Sequence, residues 1–256
     1  MSQADDWEQH WQEYESSAAR NPAQDFRRRL IRRLLTTEEP PRRILDIGSG
    51  TGDLMTSLRD DYPRAELLGI ELSRTGIESA QGKVPDAVFL QRDLTLAEAP
   101  PREYEGWATH AVCSEVLEHV DDPRRLLEVS RSYLAEGCRL VVTVPGGPMT
   151  AYDRHIGHRR HFRPGDLADL LRGAGFDVIR STGAGFPAFN AYRLLMRILG
   201  RRLIHVAGSG GPSAPARVAM GAFGLLLRSN TRLSPRGWQI TAIARTPSSQ
   251  KAEEHG

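Results

Sequence analysis

The stretch from Ile44 to Asp53, ILDIGSGTGD, places an acid, Asp46, at the end of an apolar run and Gly48, Gly50 and Gly52 in the turn that follows. Glycines let such a turn tighten and bring backbone close to a ligand, while the amino terminus of a following helix offers free N–H groups. A dinucleotide fingerprint would carry glycine at position 53, where Asp53 stands, and a carboxylate beside a pyrophosphate repels it, so NAD is the minor reading. No Gly-Lys-Ser or Gly-Lys-Thr follows the turn, which disfavours a phosphate-cradling loop. Two further acids fall in register. Glu71, 19 residues after Gly52, closes the next strand-like run, where a carboxylate accepts from both ribose hydroxyls. Asp93 follows a third such run, placed to accept from an exocyclic adenine amine. A single exposed carboxylate means little, but three at three successive strand ends point to one ligand.

A second concentration of reactive side chains lies in TAYDRHIGHRRHFRPGDL, Thr150 to Leu167. Tyr152, Asp153, His155, His158 and His161 supply what transfer to a protonated acceptor needs: an imidazole takes a proton near neutral pH, and Asp153 can orient its ring. His158 is the first choice for that base and His155 the second. Three histidines three apart, with Asp153 as a fourth donor, also resemble a metal-ligand set. Arg154, Arg159 and Arg160 crowd the same loop and repel a dication, so no metal is expected. His161 is expected to be structural, capping the helix after Pro164.

These residues need a scaffold, and the hydrophobic pattern supplies one. Strands fit residues 43–47, 66–71, 87–91, 108–113 and 138–144, with helices from about 52, near 74–82 and near 123–135. This alternation calls for an α/β, doubly wound, mainly parallel sheet with helices on both faces. A helix end running into a sixth strand fits 173–179, and 238–244 alternates like a seventh. Ahead of this core, residues 1–40 hold two helices, one carrying Trp7, Trp11 and Tyr14, the other Phe26, Leu30, Ile31 and Leu34. The first is ordinary packing or a lid, and the arginines of the second (Arg27, Arg28, Arg29, Arg32, Arg33) read as a solvated face. The core is expected over 41–182 and 237–246, and 183–236 as an inserted cap with helices near 188–204 and 216–228. A disordered tail is expected over 247–256.

With 256 residues, 39% hydrophobic and 26% charged, the chain is a globular protein of one large domain. The longest apolar run, Val218 to Leu227, is about half of the roughly 20 residues that span a membrane. The acidic amino terminus lacks the features of a secretory signal, and Cys113 and Cys138 read as buried reduced thiols, so a cytoplasmic location is expected. Net charge is +2, yet Val178 to Ala252 holds 11 basic residues and no acidic one. Such a segment suits an anionic partner: a phosphorylated substrate or a lipid surface touched peripherally. Nucleic acid is not expected, because the basic segment is aliphatic rather than interleaved with aromatic residues.

Taken in order, ILDIGSGTGD, GIELS, QRDL, CSEVLEHV and VVTVPGG resemble the class I S-adenosylmethionine-dependent methyltransferases, over about residues 42–182 and the final strand. The resemblance implies a Rossmann-like seven-stranded sheet with an antiparallel last strand, and S-adenosylmethionine as cofactor, with S-adenosylhomocysteine as product. It assigns the methionine portion to Asp46 and the turn Gly48, Ser49 and Gly50, the ribose to Glu71, and the adenine to Asp93, with Leu72 and Leu94 beside them. Ser114 and Glu115 would line the methionine side, and His119 would support the turn before Asp121. The implied activity is methylation of a small molecule, on oxygen before carbon or nitrogen; the cap's apolar helices suggest a hydrophobic acceptor and its arginines one that is phosphorylated or otherwise anionic, with Tyr14, Arg160, Phe186, Arg193 and Arg197 contacting it. A catalytically silent cofactor-binding module, using its cap for protein or membrane contact, is the alternative.

Overall fold

A computed structural model describes residues 22–206 and 230–248, together with Glu8, Gly224, Leu226 and Leu227. Helix α1 (Pro22–Leu35) precedes strand β1 (Arg43–Ile47), and the chain continues through α2 (Asp53–Asp61), β2 (Glu66–Glu71), α3 (Arg74–Lys83) and β3 (Val88–Gln91). Then come β4 (Ala108–Ser114), α4 (Pro123–Arg131), β5 (Leu134–Pro145), α5 (Ala151–His155), α6 (Pro164–Gly173), β6 (Asp177–Ala184), α7 (Ala188–Val206) and β7 (Gln239–Arg245). The strands form a seven-stranded sheet in the order β3-β2-β1-β4-β5-β7-β6. β1 to β5 pair in parallel, and β7 enters antiparallel between β5 and β6. The direction of winding reverses between β1 and β4, and the crevice beyond the carboxyl ends of those strands is where open sheets of this kind take ligands.

The strands are buried on both faces, so their sequences read as continuous apolar runs whose neighbours divide between two cores. Leu45, Leu68 and Val142 pack with α4 and α6 on one side; Ile44, Leu67 and Val141 pack with α1, α2, α3 and α7 on the other. Two expected boundaries shift. The helix expected to reach 135 ends at Arg131, and β5 begins at Leu134 rather than 138. The cause is local: the Ser132 hydroxyl donates to the Val129 carbonyl, and the chain turns there to bury Tyr133.

The excursion between β6 and β7 is closed at its base. Ser234 N donates to Gly183 O (2.8 Å), Gly185 N donates to Arg232 O (3.1 Å), and Ala184 bridges to Leu233. A side chain at Gly183 or Gly237 would collide with opposing backbone, so the two approaching strands need glycine. The first cap helix is observed as α7. Most of residues 216–228, the first amino-terminal helix apart from Glu8, and the tail beyond 248 lie outside the described residues. No described helix is long and apolar enough to cross a membrane.

Helix α1 is bound into the core by Phe26, which is buried and stacks on Phe189 of α7 at a centroid distance of 4.8 Å. Truncation to Phe26→Ala is expected to cost about 3–5 kcal/mol, read as a lowered denaturation midpoint with an unchanged slope.

Candidate active site

The glycine turn is stapled to its neighbour. Ile70 O accepts from both Gly48 N (2.8 Å) and Ser49 N (3.0 Å), which fixes the turn against the end of β2. Gly48, Gly50 and Gly52 all have positive φ, and a side chain at 48 would collide with Val116. Beneath this turn Asp46 is 2% exposed. Burial, reinforced by the nearby charge of Glu71, pushes its carboxyl up to about 8. Glu71 Oε2 accepts from Gly50 N (2.8 Å), and its Oε1 accepts from Leu72 N (3.0 Å) and Ser73 N (2.9 Å), so the acid is oriented by backbone at the strand end. Leu72 is 45% exposed, a large apolar side chain uncovered beside that carboxylate. Asp93 holds Thr95 through Oδ1, accepting from its N–H (2.8 Å) and its hydroxyl (2.6 Å), and Leu94 is buried below.

Two features fit a polar ligand at this crevice. Ser49 Oγ is buried with no hydrogen-bond partner among the described residues, an unusual state for an interior hydroxyl. Glu8, the described residue of the first expected helix, accepts from Ser73 Oγ (3.0 Å), Arg74 N (2.7 Å) and Thr75 N (3.0 Å) at the start of α3. Those hydrogen bonds, Thr75's first, lower its carboxyl to about 2.

The end of β4 gathers residues far apart in the chain. Ser114 Oγ shares a hydrogen bond with Thr143 Oγ1 (2.9 Å). Glu115, in the left-handed region at φ 57°, is ion-paired to Arg27 (3.0 Å) and accepts from Gln239 Nε2 (2.8 Å). Arg27 Nε in turn donates to Gln239 Oε1 (2.9 Å). This corrects the reading of Arg27 as part of a solvated face: it is turned inward to the site, because a buried carboxylate there needs a counter-charge. The residue count along a helix gave no sign of it.

The histidine loop packs against the same strand end, tied by Arg159 N donating to Glu118 O (2.8 Å). Asp153, 1% exposed, accepts from Thr150 N (2.7 Å) and is ion-paired to Arg193 of α7 (3.2 Å). Burial opposes its ionisation, but Arg193 and the Thr150 hydrogen bonds outweigh it and hold the carboxyl below its usual range. His158 is enclosed among His119, His161 and Asp153. Burial, then the neighbouring His119, lowers it to about 3. His161 is lowered too, chiefly by burial, so both rings are neutral near pH 7. His161 does not cap α6, as the sequence suggested: Arg163 occupies that position, and the His161 ring instead bonds Gly147 O (3.0 Å) and His158 Nδ1 (3.2 Å). His155 is exposed on α5, and the side chain of Tyr152, on the same helix, lies outside the described residues. Arg159 pairs with Asp121, and Arg160 donates to Asp121 O (2.9 Å), so neither points into the cluster. Phe186 is exposed beneath the Arg236 guanidinium; Arg197 is exposed, and Tyr14 lies outside the described residues.

With this geometry in view, comparison with known proteins decides the family. The methyltransferase-domain family matches residues 18–181. The chain belongs to that family. It is 29% identical over 144 residues to a malonyl-[acyl-carrier protein] O-methyltransferase of Halalkalibacterium halodurans, covering 54% of this chain and 52% of that one. It is 30% identical over 177 residues to a ubiquinone/menaquinone biosynthesis C-methyltransferase of Syntrophotalea carbinolica, covering 66% and 73%. The chain thus spans about half the length of the first relative. Among solved structures, a phosphoethanolamine N-methyltransferase from Haemonchus contortus bound to S-adenosyl-L-methionine superposes with a TM-score of 0.61 at 15% identity, over 89% of this chain and 54% of that one. The [4+2]-cyclase SpnF gives 0.60 at 20% identity, over 87% and 81%. The chain carries a methyltransferase domain, built on the Rossmann-like sheet anticipated from the sequence.

The raised Asp46 carboxyl makes stability depend on pH with a defined sign. The folded state holds this proton up to about 8, whereas the unfolded chain releases it near the ordinary value of 3.8. The contribution is present below pH 4 and is lost as pH rises toward 8. In ligand-free protein, Asp46→Asn is expected to remove that component, so stability of the variant falls less than wild type between pH 5 and 8, measured by urea unfolding.

Proposed function

We propose that the chain methylates a hydrophobic small molecule bearing negative charge, with oxygen as the favoured acceptor atom. The observation that carries this reading is a three-acid crevice at the ends of β1 to β3 together with a cap helix, tied to the histidine loop by Arg193, whose exposed residues include Leu194 and Arg197. The O-methyltransferase names of relatives such as the malonyl-[acyl-carrier protein] enzyme support the choice of oxygen.

When bound, S-adenosylmethionine supplies a methyl group on a cationic sulfonium. In this reading Asp46 and the turn Gly48, Ser49 and Gly50 hold its amino-acid portion. Ser49 Oγ provides the buried polar atom awaiting a partner. Glu71 holds the ribose, with one oxygen already fixed by Gly50 N. Asp93 takes the adenine amine, and Leu72 and Leu94 flank the ring. Ser114 and Glu115 line the methionine side. The enzyme's main contribution is to align the acceptor with the methyl group and exclude water. Glu8 seats its carboxylate at the start of α3, close to the Glu71 strand end, which supports the reading that the amino-terminal segment takes part in covering the cofactor.

For the acceptor's proton, the expectation of His158 as base gives way. A group lowered to about 3 accepts a proton poorly at neutral pH. Its ring is better suited to a fixed, neutral role. His155 and Tyr152 on α5 stay candidates for proton removal. Arg193, expected on the substrate face of the cap, acts first as the tie between α7 and Asp153. Arg197, exposed one turn later, and Phe186 meet the acceptor. In this reading the enzyme is cytoplasmic and α7, held at the site by Arg193, is the part of the cap that faces the acceptor, with peripheral lipid contact as a secondary role.

Glu71→Ala and Asp93→Ala are each expected to weaken S-adenosylmethionine binding by roughly 1–3 kcal/mol, measured by calorimetry. Wild-type affinity in both would remove the assignment. The acceptor is sought by mass spectrometry, as a one-methylene gain in carboxylated and phosphorylated apolar compounds incubated with enzyme and cofactor. Its KM is expected to rise with salt, and to rise in Arg197→Glu while kcat holds, because screening shortens the reach of the charge. A KM indifferent to both argues for a neutral acceptor.

A further inference from the structure

The least satisfied group among the described residues is Glu118. Its side chain is wholly buried, and neither carboxylate oxygen has a hydrogen-bond partner among those residues. An interior carboxylate in that condition demands an explanation, because desolvation without compensation is costly. The surrounding charges do not supply one. Arg27 is committed to Glu115 and Arg193 to Asp153, and no described Lys or Arg forms an ion pair with Glu118.

Two imidazoles close on this carboxylate. Donor atoms of Glu118, His119 and His158 all lie within 4.8 Å of one another. The rings of His119 and His158 meet edge to face at a centroid distance of 4.8 Å, and His119 Nε2 is 4.0 Å from Glu118 Oε1. A second triad, Asp153, His158 and His161, shares His158.

Hydrogen bonding fixes which nitrogen His158 offers. Gly147 O only accepts, so the neutral His161 ring carries its proton on Nδ1 and presents a lone pair at Nε2. That lone pair accepts from His158 Nδ1 at 3.2 Å, which leaves the His158 lone pair on Nε2. The chain from Gly147 O through His161 to His158 is the outer support by which ligating histidines are usually held: one nitrogen donates to a fixed acceptor, and the other faces the ion.

We propose that Glu118, His119 and His158 form a binding site for a divalent first-row transition cation. The mixed imidazole and carboxylate donors suit Mn2+, Fe2+, Co2+ or Zn2+ rather than Ca2+, and leave coordination positions for solvent or an acceptor oxygen. An ion bonded at about 2.1 Å to each donor spans at most about 4.2 Å between two of them, so side-chain adjustment closes the triad. This revises the expectation of no metal, and the ligand set differs from the one that loop spacing suggests. His155 is exposed and takes no part, while Glu118 and His119 come from the segment after β4. Arg159 and Arg160, expected to repel a cation, turn outward to Asp121. The site stands beside the acceptor region, where a cation would lower the proton affinity of an acceptor hydroxyl. That catalytic consequence rests on the O-methylation reading; the binding does not.

The test uses the full chain, dialysed against chelator and titrated with Co2+ and Mn2+, with S-adenosylmethionine affinity measured in parallel. Wild type is expected to bind one ion per chain, to develop a visible Co2+ absorption band characteristic of nitrogen ligation, and to melt at higher temperature with metal. Glu118→Gln and His158→Ala are each expected to weaken the ion by at least about tenfold while S-adenosylmethionine affinity is retained. Where one of them fails to fold, His119→Gln takes its place. No absorption band and no metal-dependent melting shift in wild type, or unchanged ion affinity in the folded variants, overturns the proposal. Loss of S-adenosylmethionine binding by wild type would strike the methyl-transfer assignment and leave the ion titration as a separate result.

Discussion

The pairing of Arg27 with Glu115 organises much of this molecule. Both side chains are largely withdrawn from water, and each would be costly to bury alone. Bringing them together requires α1 to lie across the sheet, β7 to deliver Gln239 to the same point, and the backbone to turn through the left-handed region at Glu115. A helix preceding the core, the strand end at the switch point and the final strand are thereby locked to one location. The apolar contacts of Phe26 and Phe189 supply the adhesion, and the ion pair sets the register.

The same edge of the sheet collects carboxylates at a density that burial should forbid. Glu115 and Asp153 each answer to an arginine from a distant helix, while Glu118 has none among the described residues. At the other end of the crevice Asp46 relieves its predicament by keeping a proton. Two routes to neutrality thus operate within one site, a counter-charge and a bound proton.

Much of the scaffold was legible from the sequence, because strands buried on both faces leave unbroken apolar runs and the glycine turn has few alternatives. The three acids stood out because strand ends are regular places. What escaped had physical reasons. The inward turn of Arg27 is invisible in a helix whose other arginines face solvent. Glu118 follows Val116 and Leu117, which read as ordinary packing, and His119 reads as support for a turn, while their meeting with His158 depends on a loop returning 39 residues after His119. Spacing by threes also drew His155 into a cluster from which its exposure excludes it. The start of β5 was missed because an irregularity between Leu134 and Arg139, with Gly137 at positive φ, separates its first pair from the continuous apolar run.

The narrow base of the excursion between β6 and β7 has a consequence for diversification. Gly183, Gly185, Arg232 and Ser234 fasten the two stems to each other, and α7 adds its own anchors through Phe189 in the core and Arg193 on Asp153. Doubling the length of such a closed loop costs on the order of 0.6 kcal/mol in chain entropy. Chain length between these anchors can therefore vary at little cost, whereas α7 itself cannot be exchanged without opening the core at Phe26 and stripping Asp153 of its counter-charge.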